Sequence, residues 1–181
     1  FPNPNAPTSI YEDLEFVEDI IRHNQDVIVI VDEAYIDFAG ESALSLLDKY
    51  DNLIITQTFS KARSMAGMRI GYAIASPLLI KYLNDAKYSF NSYTMNKTSL
   101  VYGVEAVKDK EYFAETTRKI VETRDWAEEE FKKLGFVFPK PSANFIFVSH
   151  PEYDAKELFE AMKAKGIYVR FWGSERIEQY L

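Results

Sequence analysis

Hydrophobic residues along the chain follow two rhythms. Ile10, Leu14, Val17, Ile20 and Ile21 recur at the three- and four-residue spacing of one helix face. Ser9 with Glu12 reads as a capping box in front of that stripe. Val27–Val31 breaks the rhythm with consecutive Val and Ile, a run suited to a central parallel strand buried on both faces. Leu53–Gln57 and Arg69–Ala75 repeat the strand pattern after a short helix at Ser42–Tyr50. Pro77 fits the first turn of a helix that runs to about Lys87. Strands alternating with helices predict an α/β layer fold with a mostly parallel sheet and flanking helices.

The character changes near residue 94. Thr94–Lys108 and the charged stretch Glu111–Leu134 read as helices, the second ended by Gly135. Phe136–Phe138, Asn144–Val148 and Ile167–Arg170 read as strands around a helix at Asp154–Lys165. This half is expected to form a smaller α+β unit reached through the long helix. Within that helix, Glu128–Glu130 followed by Lys132 and Lys133 reads as a solvated face.

Composition narrows the function. The chain has 181 residues, 47% hydrophobic and 27% charged, an ordinary globular balance. Its net charge of −7 argues against a nucleic-acid partner. It has no cysteine, which removes disulfides, thiolate nucleophiles and thiolate metal sites and fits a reducing compartment. No apolar run reaches the ~18 residues of a membrane helix, so no membrane partner is expected. His23 and His150 have no metal-ligand neighbour at helical spacing and read as surface or capping residues; no metal is expected. The chain opens on Phe-Pro-Asn-Pro-Asn without methionine and closes on Glu-Gln-Tyr-Leu, so it reads as a piece of something longer.

Two segments carry the candidate chemistry, VIVIVDEAYIDF at 27–38 and TFSKARSMAGMRIGY at 58–72. Asp32 lies where an apolar strand ends, the edge at which open sheets bind ligands. Alone it could be a turn-capping acid, and Tyr35 a core tyrosine. Lys61 follows 29 positions after Asp32, in an apolar, small-residue setting rather than a charged one. Desolvation there favours the neutral amine, a candidate nucleophile toward a carbonyl. Thr58, Ser60 and Arg69 add hydroxyl and planar guanidinium donors suited to phosphate. Together the set suits a phosphorylated aromatic aldehyde. The strand-plus-acid pattern also suits a phosphate-loop ATPase, but G-x-x-x-x-G-K-[ST] is missing.

With NPNAPTS at 3–9 and SANFIFV at 142–148, these motifs resemble the fold type I pyridoxal-phosphate-dependent aminotransferases, most of all their histidinol-phosphate branch. The resemblance covers nearly the whole chain in order and spacing. It implies pyridoxal 5'-phosphate as cofactor and transamination between histidinol phosphate and 2-oxoglutarate, a step of histidine biosynthesis. Threonine-phosphate decarboxylase and other class I/II aminotransferases share the motifs. A non-catalytic fragment is the reading from a different class. By matched position, Lys61 bonds the cofactor and moves the proton, Asp32 pairs with the ring nitrogen, and Tyr35 donates to the ring oxygen. Thr58, Ser60 and Arg69 hold the cofactor phosphate, while Arg170, Asn144 and Asn91 face the substrate. Tyr88, Phe90 and Tyr93 match the active-site mouth or are core. The implied layout is part of the large cofactor-binding domain at 1–93, bridging helices at 94–135 and part of the small domain at 136–181. The parent enzymes are implied to be cytoplasmic homodimers.

Departures set further expectations. The family reads NPNNPTG, so Ala6 stands where an asparagine bonds the ring oxygen, with Asn5 as the substitute, and Ser9 replaces a glycine. Ala6–Pro7 is a candidate cis peptide. Arg63-Ser64 replaces an aromatic-glycine pair and is expected to put an extra charge beside the phosphate. The family's Gly-rich phosphate turn, stacking aromatic and substrate-carboxylate arginine have no match here. These 181 residues are therefore expected to be incomplete and inactive alone.

Overall fold

Three strands form one sheet in the order β1 (Val29–Asp32), β2 (Leu53–Thr58) and β3 (Gly71–Ala75). The computed structural model describes residues 1–181. β1 and β2 run parallel, with Asp32 opposite Thr56; β2 and β3 run antiparallel, with Thr58 opposite Gly71. Residues 1–3 lie along the free edge of β1, where Asn3 N donates to Asp32 O at 2.9 Å. Five helices complete the chain: α1 (Leu14–His23), α2 (Pro77–Phe90), α3 (Lys97–Lys108), α4 (Lys110–Lys133) and α5 (Ala155–Ala164). The α/β class read from the pattern is the observed one. None of these helices is long and apolar enough to cross a membrane.

The core sits on one face of the sheet. Val17 and Ile21 of α1 pack on Val29, Val31, Leu53 and Ile55, with Ala43 and Leu46 closing the cluster. The two-sided burial expected for the first apolar run holds on this face alone. Val27, Ile28 and Ile30 remain about half exposed, at 52%, 54% and 48%. A run of Val and Ile reports fitness for burial on both sides, and the chain supplies cover for one. The expected Ser42–Tyr50 helix is a single 3-10 turn at Ala43–Leu46, capped by Ser42.

α1 begins later than the capping-box reading places it. Asp13 is the cap, its Oδ1 accepting from Phe16 N at 2.9 Å. Asp13→Ala is expected to cost about 1 kcal/mol of stability in urea unfolding, the usual value of a helix cap; no measurable cost would contradict this assignment.

The second half holds α5 but not the expected strands. Val137 and Ser149 form an isolated bridge, and Val148 and Leu181 exchange hydrogen bonds of 3.2 and 2.9 Å. Phe136–Phe138, Asn144–Val148 and Ile167–Arg170 otherwise lack ladders. A strand needs a partner with free donors, and Pro139 and Pro141 interrupt the first pair. Ile167 N is taken instead by Met162 O at 3.0 Å, closing the end of α5.

The charged face of α4 is not uniformly solvated. Glu128 is 4% exposed and accepts from Lys140 Nζ at 3.0 and 3.1 Å. Arg124, one turn earlier, donates from Nη1 to Phe38 O at 2.9 Å and Ala143 O at 3.1 Å. This residue joins α4 to both halves of the molecule. His150 lies at the end of α4: Nδ1 accepts from Glu152 N at 3.1 Å, leaving Nε2–H to donate to Leu134 O at 3.1 Å. His23 is the last residue of α1, its Nδ1 within hydrogen-bonding reach of Asp19 O, and Asn24 is the cap.

Candidate active site

The parallel strands end on the same edge of the sheet, and their last residues carry the chemistry. Asp32 closes β1. Its Oδ1 accepts from Ala34 N at 3.1 Å and Thr56 Oγ1 at 3.4 Å, while Oδ2 has no protein partner. Pleat alternation turns the next acid the other way. Glu33 is 2% exposed and accepts from Ser42 Oγ at 2.6 Å, Ala43 N at 2.7 Å and Gln57 Nε2 at 2.8 Å. Of two adjacent carboxylates, one is open to a ligand and the other is a fold anchor. No group of three or more metal-capable side chains converges anywhere in the chain.

Tyr35 stands at the entrance of a 3-10 turn, Ile36–Phe38. Its ring meets Phe145 edge-on at 5.1 Å. Lys61 Nζ lies 4.9 Å from the centre of the same ring. The lysine comes from the loop joining β2 to β3, which is closed at its base by Phe59 N donating to Ile70 O at 3.0 Å. The Lys61 amine is half-buried and takes part in no ion pair or hydrogen bond with the chain. Ser60 Oγ is equally free. Thr58 Oγ1 accepts from Ser60 N at 3.1 Å and donates to Ile70 O at 3.2 Å, so it also shapes the loop.

Arg69 leads into β3 in the left-handed region, φ 55°. It donates to Ala66 O at 3.0 Å and has no acidic partner. Ser64 shares that φ, and Ser9 lies at 63°. Each such residue costs about 1–3 kcal/mol, and all three sit in loops around this edge.

Arg63 overturns its expectation. Its guanidinium lies 4.2 Å from the Phe113 ring and 5.3 Å from Phe59, and it donates to Ala106 O at 2.9 Å. It pins α3 and α4 to the lysine loop instead of adding charge at the phosphate.

The N-terminal loop is bound to the second half through Ser9, fully buried. Its Oγ accepts from Ser142 N at 3.0 Å and Ala143 N at 2.8 Å. Arg124 holds the carbonyl of the same Ala143, so the backbone before Phe145 is gripped from both sides. The sequence reading missed both roles. The one available signal was a serine standing at a glycine position. Ser9→Gly removes the left-handed strain but leaves a buried amide unpaired at ~1–3 kcal/mol. The two ranges coincide, so the effects largely cancel and a net change within about 1 kcal/mol is expected in denaturant unfolding; a larger shift in either direction would contradict it.

Ala6, Pro7 and Tyr35 form one wall of a cleft of about 560 Å³. Phe136, Met162 and Trp172 line the same cleft, and Arg170 is its one charged side chain. Asn5 Oδ1 accepts from Thr8 Oγ1 at 2.8 Å, and its Nδ2 donates to no protein group. Ala6–Pro7 is cis, as is Asn3–Pro4. Asn144 lines a separate cleft against α4. Asn91 caps α2, is exposed, and accepts from Tyr93 N at 3.1 Å. Tyr88, Phe90 and Tyr93 are 63%, 95% and 91% exposed, which excludes core packing within these residues.

Comparison with known proteins adds three findings. The chain matches the model of "Aminotransferase class I and II" over residues 1–181. A histidinol-phosphate aminotransferase of Brachyspira hyodysenteriae is 50% identical over 180 residues, covering 99% of this chain and 51% of its own. One from Pseudomonas putida is 47% identical over 181 residues, covering 100% and 52%. The crystal structure of histidinol-phosphate aminotransferase from Sinorhizobium meliloti in complex with pyridoxal-5'-phosphate superposes with a TM-score of 0.86 at 25% identity, covering 99% of this chain and 50% of that one. The chain spans about half the length of the curated relatives it matches.

Proposed function

Because the chain belongs to the class I and II aminotransferase family, we propose that its protein transfers the amino group between histidinol phosphate and 2-oxoglutarate, in histidine biosynthesis, with pyridoxal 5'-phosphate as cofactor. The observation that carries this reading is the unpaired Lys61 amine, 4.9 Å from the Tyr35 ring. It lies on the strand edge that also presents the open carboxylate of Asp32.

The donor set fits the cofactor. An acid, a phenol, a free amine, two hydroxyls and an acid-free guanidinium match a ring nitrogen, a ring oxygen, an aldehyde and a phosphate. Ser60, Arg69 and Thr58 bind the phosphate, with Arg69 offering planar donors. Asp32 holds a proton on the ring nitrogen through the oxygen left open by Ala34 and Thr56. Tyr35 donates to the ring oxygen, with Asn5 Nδ2 as second donor in place of the residue at Ala6. When bound, the cofactor supplies an electrophilic carbon and a ring that accepts the electron pair of the substrate's Cα–H bond. Lys61 carries that proton between substrate and cofactor, a task that needs an amine free of acidic partners.

Arg170 receives the substrate's phosphate in a cleft lined otherwise mostly by apolar side chains. Asn144 and Asn91 are substrate contacts on the strength of the resemblance alone. The same reading makes 1–93 part of the large cofactor-binding domain, 94–135 the bridge and 136–181 part of the small domain. The protein works as a cytoplasmic homodimer.

The test uses the protein as encoded, with any sequence flanking these residues. Glutamate formation from histidinol phosphate and 2-oxoglutarate is the expected result. Carbon dioxide released from threonine phosphate without amino transfer would replace this reading with a decarboxylase of the same fold.

A further inference from the structure

Trp172, which the transamination reading does not use, is paired with Arg170, which it does use. Phe171 between them stacks on Phe159 of α5, ring centres 5.8 Å apart. Gly173 then turns the chain at a left-handed φ of 58°, a conformation that favours glycine. With Phe171 and Gly173 so fixed, Arg170 and Trp172 line the same cleft. The Arg170 guanidinium carbon lies 4.7 Å from the indole centre.

No carboxylate pairs with Arg170; the arginines in ion pairs are Arg22, Arg118 and Arg124. The choice of partner matters chemically. An acid would occupy the in-plane N–H donors and neutralise the charge. An aromatic face attracts the guanidinium through its ring quadrupole and leaves those donors open at the edge. Phosphate takes such donors two at a time, in the plane. The indole therefore restrains a long side chain, whose immobilisation opposes binding, while leaving it ready for an anion.

We propose that Trp172 is a positioning residue that holds Arg170 for the phosphate group of the substrate. The proposal rests on the reading of Arg170 as the substrate-phosphate group.

Two measurements separate the two ideas. In steady-state kinetics with histidinol phosphate, W172A is expected to raise KM about 2- to 5-fold, the span of one exposed cation–π contact. Its kcat stays within about twofold, and W172F, which keeps an aromatic face, recovers most of the loss. An unchanged KM in W172A, a fall in kcat alone, or no recovery in W172F overturns the proposal. In the second measurement, W126F leaves Trp172 as the one tryptophan of the chain. Titration of this variant with inorganic phosphate is expected to give a saturable fluorescence change that R170Q abolishes. No change, or one that survives R170Q, overturns the proposal. If the protein fails to turn over histidinol phosphate yet shows the Arg170-dependent signal, the functional reading falls and the positioning role stands.

Discussion

Lys61→Ala is expected to lower transamination by the protein as encoded by at least ~10²–10⁴-fold, the range supplied by a positioned acid–base group. Loss of covalent attachment to the cofactor adds to that. The loss is expected in kcat, because on the proposed reading Lys61 acts on the reacting bond, while Arg69, Ser60 and Thr58 would still hold the cofactor phosphate. Stability is expected to change little. The Lys61 amine makes no ion pair or hydrogen bond with the chain, and the loop that carries it is closed through Phe59 and Ile70 backbone groups. Parallel thermal melts and initial rates check both halves of the prediction. Activity within about tenfold of the starting protein would remove Lys61 from the chemistry. A large fall in melting temperature would mean that the amine supports the fold.

Glu33→Ala is expected to act in the opposite sense, on the fold before the chemistry. The carboxylate is 2% exposed and accepts three hydrogen bonds, from Ser42, Ala43 and Gln57. Hydrogen bonds to a charged acceptor contribute ~1.5–3 kcal/mol, and a buried donor left unpaired costs ~1–3 kcal/mol. These terms share one group and do not add, so a loss of about 3 kcal/mol is expected in chemical denaturation. Gln57 also accepts from the Tyr72 hydroxyl at 2.5 Å, so the disturbance reaches β3. Burial first, and then the Asp37 charge, push the Tyr72 phenol above its ordinary range; Arg63 opposes this and Glu33 adds to it. Removing Glu33 also takes away the smallest of the influences that raise the Tyr72 phenol. A variant as stable as the starting protein would show that water satisfies Ser42, Ala43 and Gln57.

The contrast between Asp32 and Glu33 shows what a sequence makes legible. Asp32, Tyr35, Thr58, Ser60, Lys61 and Arg69 lie in two short segments with local spacing, and the strands bearing them are marked by runs of Val and Ile. The chemistry is visible because the types are few and close together. Nothing in VIVIVDEAYIDF sets Glu33 apart from Asp32, because its partners Ser42 and Gln57 carry no pattern of their own. Arg124 and Ser9 were silent for a stronger reason. Arg124 meets Phe38 across 86 positions and Ser9 meets Ala143 across 134. Backbone carbonyls and amides as partners leave no trace in residue types. Glu128 shows the same limit on a helix, where an acid among acids reads as solvated until Lys140 and the body of the protein are known.

The missing ladders in the second half have a different origin. Ile167–Arg170 has strand composition, yet composition does not provide a neighbour, and residues 1–181 contain no strand beside it. The bare face of β1 is the same effect in a helix-covered sheet: Ile30 is 48% exposed although its run reads as buried.

On the proposed reading Asp32, Tyr35 and Lys61, with Thr58, Ser60 and Arg69, form one cradle for pyridoxal phosphate. The most direct test is to incubate the protein as encoded with pyridoxal phosphate, reduce with borohydride, and map the added mass by peptide sequencing. One stoichiometric label on Lys61 is expected, lost in Lys61→Ala and weakened in Arg69→Gln. A label on other lysines that persists in Lys61→Ala, or no stable label at all, would contradict it.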